Sequence, residues 1–311
     1  MQRLLIDTDG GIDDAAALLY ALGSPGLEIE AITTVYGNVA VEAATRNVLE
    51  ILRVAGTEQP PRIAQGSAAP QVGSWRTAPH IHGEDGLGGW IGRTAGSGRG
   101  DVDPLPAAEV IAAVARRYPG EVTLVTLGPL TNIAAAERQD PKGFRLLKEI
   151  VTMGGAVAVP GNMTAVAEFN VLADPEAARA VFRCGLPLLL VGLDVTRKCA
   201  LTRDRLESWL AGRTDVRSRF LACLSEQGLA NSSEAFLLHD PLAVAAALDR
   251  SLVVTRRMRV DVETRGELTR GMVVADRREW ERGGENADVC LDVDAERFLD
   301  EVGARVFRSP V

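Results

Sequence analysis

The chain has 311 residues, of which 46% are hydrophobic and 24% are charged, a composition that suits a globular protein with a large core. Its formal net charge is −8 and no long basic run occurs, so we expect neither nucleic acid nor a membrane surface as a partner. The four cysteines form no CxxC pair, which argues against a zinc site and a disulfide framework. No segment approaches about 18 uninterrupted apolar residues, and we expect a cytoplasmic protein.

Strand and helix patterns alternate through the first two thirds of the chain. The predicted strands are residues 4–6, 27–35, 62–64, 122–127, 149–153 and 186–191. The predicted helices are residues 15–22, 41–55, 107–117, 133–138 and 175–183, and a long glycine-rich loop covers 66–103. A mostly helical stretch follows at 202–249. Two strands of a small antiparallel extension are predicted at 252–262 and 271–274, and a terminal helix at 294–302. This alternation predicts an α/β fold, a doubly wound, mainly parallel sheet flanked by helices, in a single domain over residues 1–311.

Four aspartates come at the end of the first predicted strand, within eight positions: Asp7, Asp9, Asp13 and Asp14. Asp7 and Asp9 are two apart on an extended segment and should point to the same side, while Asp13 and Asp14 lie at the start of a helix, whose N-terminus tolerates negative charge. The crevice beyond the carboxyl end of such a strand is where open α/β sheets bind ligands. Because four ionised carboxylates repel one another, they predict a divalent cation, Ca²⁺ or Mg²⁺, although either pair alone could cap the helix or line a solvated turn.

Further polar side chains follow other predicted strands. Asn38 comes after the second strand, and Glu168 and Asn170 lie beyond strand 149–153, two apart in what the pattern indicates is an extended segment. His239 and Asp240 precede a helix that begins with a proline. Each of these residues has an ordinary alternative as a turn, core or capping residue. A parallel sheet would nevertheless bring them to one edge, beside the aspartates.

Seven short motifs occur in a fixed order along nearly the whole chain. They are DTDGGIDDA at 7–15, TTVYGN at 33–38, HG with GLGG at 82–89, GPLTN at 128–132, MGG at 153–155, GN to EFN with DPEA at 161–177, and HDPL at 239–242. Together they resemble the inosine–uridine nucleoside hydrolase family. One such motif would be weak evidence, whereas seven in the family's order are specific.

The resemblance implies a Ca²⁺-dependent enzyme of nucleoside salvage that hydrolyses the N-glycosidic bond of a small-molecule ribonucleoside to ribose and a free base. By analogy, the Ca²⁺ ligands are Asp9, Asp14, Asp240 and the backbone carbonyl of Leu127. Asp9 is the implied general base toward a water at the calcium site, Asn38 helps to place that water, and His239 lies where some members assist departure of the base. The implied substrate-binding residues are Asp13, His82, Met153, Asn162, Glu168, Phe169 and Asn170. Relatives are often homodimers or homotetramers.

The chain departs from the family pattern at three places. Gly10 replaces the usual proline, which we expect to cost loop rigidity without removing a ligand. Leu127 stands where other members can carry threonine, but only its carbonyl is needed. Residues 221–238 contain no tyrosine, so base specificity stays open, and Gln227 and Asn231 either bind a base edge or face solvent. Residues 66–103 and 221–238 are the predicted flaps over the site.

Two other functions are compatible with part of the sequence. The run Asp7-Thr8-Asp9-Gly10 matches the DxDG motif of Mg²⁺-dependent phosphatases of the haloacid-dehalogenase type. That motif leaves Asp13 and Asp14 unexplained, and lysines for binding phosphate are scarce: Lys142, Lys148 and Lys198. A non-catalytic nucleoside-binding protein on the same fold is the second possibility, because a fold does not guarantee activity. The complete set of Asp9, Asn38, Asp14 and Asp240 argues against it.

Overall fold

The computed structural model describes residues 1–91, 100–231, 235–278 and 284–309, and strands alternate with helices in them as predicted. The strands are β1 (Gln2–Thr8), β2 (Leu27–Thr34), β3 (Arg62–Gln65), β4 (Val122–Thr126), β5 (Glu149–Met153), β6 (Leu188–Val191), β7 (Ala200–Thr202), β8 (Ala235–Leu237), β9 (Val253–Val262), β10 (Val273–Asp276) and β11 (Ala287–Val293). The helices are α1 (Ile12–Leu22), α2 (Val41–Ala55), α3 (Pro79–His82), α4 (Ala107–Arg117), α5 (Thr131–Gln139), α6 (Pro141–Phe144), α7 (Phe169–Ala173), α8 (Pro175–Phe182), α9 (Leu193–Thr196), α10 (Arg203–Leu210), α11 (Val216–Asn231), α12 (His239–Leu248) and α13 (Ala295–Arg305).

The main sheet has the strand order β10-β9-β11-β6-β5-β4-β1-β2-β3 among the residues described. The pairs from β11 through β6, β5, β4, β1 and β2 to β3 are all parallel, and β9 and β10 add an antiparallel extension at one edge. The predicted fold class is therefore confirmed. The chain runs from β1 outward to β2 and β3 and then returns to β4 on the other side of β1. The strand order thus reverses between β1 and β4, where a doubly wound sheet opens its binding crevice.

The central strands are apolar runs because helices cover both faces of the sheet. Leu4, Leu5 and Ile6 of β1 are all at most 1% exposed. Leu4 and Ile6 pack into the core formed with α1, α2 and α12, whereas Leu5 packs on the opposite face with α4, α5 and α8. Alternate side chains of one strand thus enter two separate cores, which fixes β1 and the aspartates that follow it.

The structure differs from the predicted elements at several places. Helix α1 begins at Ile12, three residues earlier than predicted, because Asp13 and Asp14 belong to its first turn. The predicted loop 66–103 contains α3, and the helical stretch 202–249 contains β8, which pairs with β7. Strand β11 was not predicted, because charged Asp288 and Asp292 interrupt its apolar pattern. Residues 92–99 of the predicted loop and 232–234 of the second predicted flap lie outside the described residues.

In the part of the chain that the structure describes, no helix combines the length and the apolar character needed to cross a membrane.

Candidate active site

A cavity of about 320 Å³ lies at the carboxyl edge of the sheet, beside the reversal of strand order. Asn38 follows β2, Leu127 follows β4, and Met153 ends β5. The predicted site residues that line the cavity are Asp13, Asn38, His82, Leu127, Met153, Asn162, Glu168, Phe169, Asn170, His239 and Asp240. The other two, Asp9 and Asp14, are fully buried and are joined to this lining by hydrogen bonds from Asn38.

The turn between β1 and α1 is held by the carboxylate of Asp14. Its oxygens accept hydrogen bonds from the backbone N–H groups of Gly11 (2.8 Å) and Asp9 (3.3 Å) and from the hydroxyl of Thr8. The N-terminus of α1 also favours this negative charge through its dipole. Asp14 therefore fixes the conformation of the turn, and this structural role is separate from any role in binding a ligand.

Gly10 has a φ of +73°, in the left-handed region that favours glycine. The proline ring fixes φ near about −65°, so the proline usual in the family could not adopt this backbone. A Cβ at Gly10 would lie 2.7 Å from Cα of Ala44, because the turn packs directly on α2. This conformation of the turn therefore favours glycine, and the expected cost in loop rigidity stays a prediction.

Asn38 binds the side chain of Asp9 through two hydrogen bonds. Its backbone N–H donates to Oδ2 of Asp9 (2.8 Å), and its Nδ2 donates to Oδ1 (2.9 Å) and also lies 3.2 Å from Oδ2 of Asp14. A Cβ at Gly37 would lie only 2.0 Å from Oδ2 of Asp9. The Gly37-Asn38 turn after β2 is thus shaped to hold both oxygens of Asp9.

Three carboxylates converge closely enough to hold a metal ion. Asp13, Asp14 and Asp240 are buried, and each offers an oxygen within 4.8 Å of the others, the one such group found among the described residues. Burial, followed by repulsion from neighbouring aspartates, raises the pKa of Asp240 well above its ordinary value and that of Asp13 to about 8. A divalent cation would offset both the burial of the negative charges and their mutual repulsion, since hard cations take carboxylate oxygens as ligands. The donor set therefore fits a metal ion.

Two of the four predicted ligands lie outside this group. Asp9 has both oxygens bonded to Asn38, and burial together with the charge of Asp14 raises its pKa well above the ordinary value. The carbonyl of Leu127 accepts a hydrogen bond from Nδ2 of Asn170 (2.8 Å), although a carbonyl oxygen has a second lone pair for a ligand. The assignment of Asp9 and Leu127 as ligands stays a prediction.

Asp7 does not join the aspartate cluster, so the prediction that all four aspartates converge is wrong. Its Oδ1 accepts hydrogen bonds from the hydroxyl of Thr33 in β2 (2.5 Å) and from Nδ2 of Asn132 in α5 (2.8 Å). Burial raises its pKa to about 7, against the effect of these two donors. Asp7 is still within β1, whereas Asp9 lies in the turn, so their spacing along an extended segment does not make them neighbours.

Glu168, Asn162 and Asn170 line the cavity, but not on an extended segment. Asn170 is the second residue of α7, and Glu168 is the N-cap of that helix. Glu168 accepts hydrogen bonds from the backbone N–H groups of Asn170 (2.9 Å) and Gly155 (2.8 Å), and burial raises its pKa. Asn162 accepts a hydrogen bond from the backbone N–H of Phe169 (3.0 Å). A helix N-terminus, rather than strand alternation, brings the three side chains together.

His82 and His239 both line the cavity, and His82 is buried whereas His239 is partly buried. Burial lowers the pKa of each to about 4, so both are neutral at neutral pH. Nδ1 of His82 accepts a hydrogen bond from the backbone N–H of Ile12 (3.2 Å), which leaves Nε2 as the protonated nitrogen. Nδ1 of His239 lies 2.8 Å from the Thr196 hydroxyl. Both imidazoles can therefore act as neutral hydrogen-bonding groups.

The remaining lining lies largely within the two predicted flaps, although most of its residues were not identified individually from the sequence. It comes from the start of α1, from α3 and its surroundings, from the loop before α7, and from α11 and β8: Ile12, Ala78, His80, Ile81, Met163, Gly228, Asn231, Ala235, Phe236 and Leu237. The side-chain amides of Gln227 and Asn231 are both engaged within the protein. Nε2 of Gln227 and Nδ2 of Asn231 donate to the carbonyl of Ile81. The histidines at positions 80 and 82 were the signal that part of the glycine-rich loop reaches the site.

Comparison with known proteins agrees with this geometry. Residues 4–300 match the family described as inosine-uridine preferring nucleoside hydrolase. The chain is 39% identical to the non-specific ribonucleoside hydrolase RihC of Escherichia coli (strain SMS-3-5 / SECEC), over 95% of both chains. It is similar to the structure of a purine-preferring ribonucleoside hydrolase from Gardnerella vaginalis, with a TM-score of 0.89, 33% identity and 98% of each chain covered. It is also similar to an inosine-guanosine nucleoside hydrolase, with a TM-score of 0.89, 30% identity, and 98% of this chain and 99% of that chain covered.

These matches extend along almost the whole chain and include the segments that carry Asp9, Asn38, Asn170 and Asp240. A phosphatase of the haloacid-dehalogenase type would share only the short run at residues 7–10, so that alternative loses its basis. The chain belongs to the inosine-uridine preferring nucleoside hydrolase family.

Proposed function

We propose that this protein is a Ca²⁺-dependent hydrolase that cleaves the N-glycosidic bond of purine and pyrimidine ribonucleosides. The observation that carries the proposal is the convergence of three buried carboxylates, Asp13, Asp14 and Asp240, beside the Asp9–Asn38 pair at one cavity. Asp14 and Asp240 are ligands on which the family analogy and the geometry agree. Asp9 and the carbonyl of Leu127 complete the set by analogy, which leaves Asp13 to bind ribose.

Ca²⁺ suits these ligands because they are all oxygens, and when bound it would orient the ribose hydroxyls and lower the pKa of a water molecule. Asp9 accepts the proton of the attacking water. A buried carboxylate with a raised pKa is a stronger proton acceptor than a solvated one, and Asn38 holds it in a single orientation. The general base is thus placed before substrate arrives.

The ribosyl group develops positive charge as the bond to the base breaks. Carboxylates fixed around the cavity stabilise that charge without having to reorganise. Asp13 and Asn170 bind the 2′- and 3′-hydroxyls, while Asn162 and Glu168 bind the 5′-hydroxyl. Met153 and Phe169 pack against the sugar, and Phe169 is itself supported by an edge-on contact with Trp75, with ring centroids 4.9 Å apart.

The departing base needs a hydrogen-bond donor, because its anion is a poor leaving group. His239 supplies one as a neutral imidazole, since burial keeps its pKa near 4. His82 can contribute Nε2–H from the other side of the cavity. A neutral imidazole donates a hydrogen bond to the base. An exposed histidine, with its higher pKa, could instead act as a cationic acid near neutral pH.

The proposed setting is cytoplasmic nucleoside salvage by a homodimer or homotetramer. The support is the family and the small-molecule size of the cavity, together with a net charge of −8 that disfavours nucleic acid.

The test is release of reducing sugar from inosine, uridine, cytidine, adenosine and guanosine. We expect turnover of both purine and pyrimidine nucleosides with Ca²⁺ present and reduced turnover after prolonged treatment with a chelator. Ca²⁺ binding without turnover of any nucleoside would contradict the enzyme and favour the nucleoside-binding alternative. Turnover that is unchanged when metal analysis shows complete removal would contradict the calcium dependence.

Gly11 offers a test of how closely the site is packed. A Cβ at this position would lie 2.5 Å from Nδ1 of His82 and 2.6 Å from Nδ2 of Asn38. We expect Gly11→Ala to displace both side chains and to lower kcat roughly 10- to 100-fold, as disturbed supporting contacts usually do. Gly284→Ala is the control, because its Cβ would meet no atom of the described residues within 4 Å. Equal initial rates for the two variants would contradict the expectation.

The contact between α11 and α3 bears on base selectivity. Gln227 and Asn231 both donate to the carbonyl of Ile81, so their amides are engaged in joining the two predicted flaps. We expect Asn231→Ala to lower kcat/KM by roughly 2- to 10-fold, the effect of one hydrogen bond, and by similar factors for all five nucleosides. A loss confined to purines or to pyrimidines would show instead that Asn231 binds the base directly.

A further inference from the structure

Asn47 is a buried polar residue that the mechanism above does not use. It lies on α2 and is 0% exposed. Its Nδ2 donates two hydrogen bonds, to the carbonyl of Gly10 (2.9 Å) and to the carbonyl of Asp85 (2.8 Å). Its Oδ1 has no hydrogen-bond partner among the described residues. Both donor hydrogens of the amide thus join two segments that are 75 residues apart in sequence.

The first of these segments is the turn that carries the aspartates. Gly10 lies between Asp9 and Asp13, and its left-handed conformation directs its carbonyl toward α2. The turn packs closely on the helix, since a Cβ added at Gly10 would lie 2.7 Å from Cα of Ala44. The hydrogen bond from Asn47 holds the carbonyl of Gly10 toward α2. The position of Asp9 relative to Asp13 therefore depends on this contact.

The second segment is the loop that presents His82. Asp85 folds the loop on itself by accepting hydrogen bonds from the backbone N–H groups of Leu87, Gly89 and Ile91, each at 2.9 Å. The backbone N–H of Gly88 donates to the carbonyl of His82 (2.9 Å), which ties the loop to the histidine. A Cβ at Gly86 would lie 2.8 Å from Nδ2 of Asn47, so loop and amide are in direct contact.

We propose that Asn47 is a positioning residue that sets the spacing between the aspartate turn and His82, by holding the carbonyls of Gly10 and Asp85 on one amide nitrogen. The inference rests on the proposed function of the site. Asn47 does not itself line the cavity or join the carboxylate cluster. It acts through Asp9 and Asp13 on one side and through His82 on the other, and so it affects calcium binding and catalysis together.

The experiment compares Asn47→Ala, which removes both donors, with Asn47→Ser, which retains one. We expect Asn47→Ala to weaken Ca²⁺ binding by chelator-treated protein, measured by titration calorimetry, and to lower kcat, each roughly 10- to 100-fold. Asn47→Ser should fall between Asn47→Ala and the unmodified protein in both quantities. Thr45→Val is the matched control, because Thr45 is also buried on α2 but its hydroxyl bonds to Thr34 and the carbonyl of Val41, away from the turn.

Amide hydrogen exchange of the metal-free protein provides a readout that needs neither calcium nor substrate. We expect Asn47→Ala to increase exchange in residues 9–12 and 83–91 together, while Thr45→Val leaves both segments unchanged. The proposal would be overturned if Asn47→Ala lowered the melting temperature but left exchange in these segments unchanged, with Ca²⁺ affinity and kcat within twofold of the unmodified protein. If the unmodified protein hydrolyses no nucleoside, the proposed function fails, whereas the positioning role is still decided by the exchange data.

Discussion

Replacing Asp9 with asparagine is expected to lower kcat by about 10³-fold, in the middle of the range for loss of a general base. The substitution preserves the size of the side chain but removes the group that accepts the proton. It also disturbs the local hydrogen bonds, because the backbone N–H and Nδ2 of Asn38 donate to the two oxygens of Asp9 (2.8 and 2.9 Å). An asparagine would have to place its own NH₂ group against one of these donors.

The measurement is kcat and KM for the best nucleoside of the panel at saturating Ca²⁺. Asp292→Asn is the control, because Asp292 is an exposed residue of β11 that pairs with Lys198 far from the site. It should leave both constants unchanged. Asn38→Ala should lower kcat less than Asp9→Asn does, because it removes only the side-chain donor and keeps the base. A kcat for Asp9→Asn within tenfold of the unmodified protein would exclude Asp9 as the base.

The position of the site could be predicted from the sequence because it depends on the order of strands and helices. The apolar run of Leu4, Leu5 and Ile6 required a strand with both faces buried, and the aspartates after it required a carboxyl end at the edge of the sheet. Asn38, Leu127 and the α7 region follow neighbouring strands. Local pattern and fold class therefore determine the edge of the sheet at which the site lies, without any side-chain detail.

The geometry within the site could not be predicted because it depends on where strands end and helices begin. The strand extends through Asp7 and Thr8, so Asp7 bonds to Thr33 of β2 and Asn132 of α5 and not to the cluster. Helix α1 begins early enough to include Asp13, which consequently meets Asp240. A shift of two or three residues in an element boundary decides which carboxylates could share a metal ion.

The two predicted flaps include most of the remaining lining, but its individual residues and contacts could not be predicted, for a different reason. It is built from a four-residue helix, α3, and from a strand of three residues, β8, neither of which is long enough to show a periodic pattern. The bond between Asn231 and the carbonyl of Ile81 joins positions 150 residues apart. Such a contact has no local signal, because a backbone carbonyl is present at every residue.

Calcium is expected to stabilise chelator-treated protein, and the stabilisation should increase as pH rises from 5.5 to about 8. Burial and neighbouring aspartates raise the pKa of Asp13 from 3.8 to about 8 and that of Asp240 well above 3.8. In the metal-free protein the folded state therefore binds protons more tightly than the unfolded state, and its stability falls as pH rises from about 4 to 8. Ca²⁺ requires the ionised carboxylates, so protons compete with it least at the upper end of this window.

Thermal unfolding with and without Ca²⁺ at pH 5.5, 7 and 8 measures this effect. A free Ca²⁺ concentration of 100 times Kd contributes about 2.7 kcal/mol, which corresponds to an increase in Tm of about 4 °C for a domain of 311 residues. Asp240→Asn should remove most of the increase, whereas Asp292→Asn should retain it, because only Asp240 belongs to the cluster. An increase of equal size at all three pH values would mean that Ca²⁺ binds without displacing protons. The carboxylates would then be ionised in the metal-free protein, and their mutual repulsion would have to be relieved by some other group.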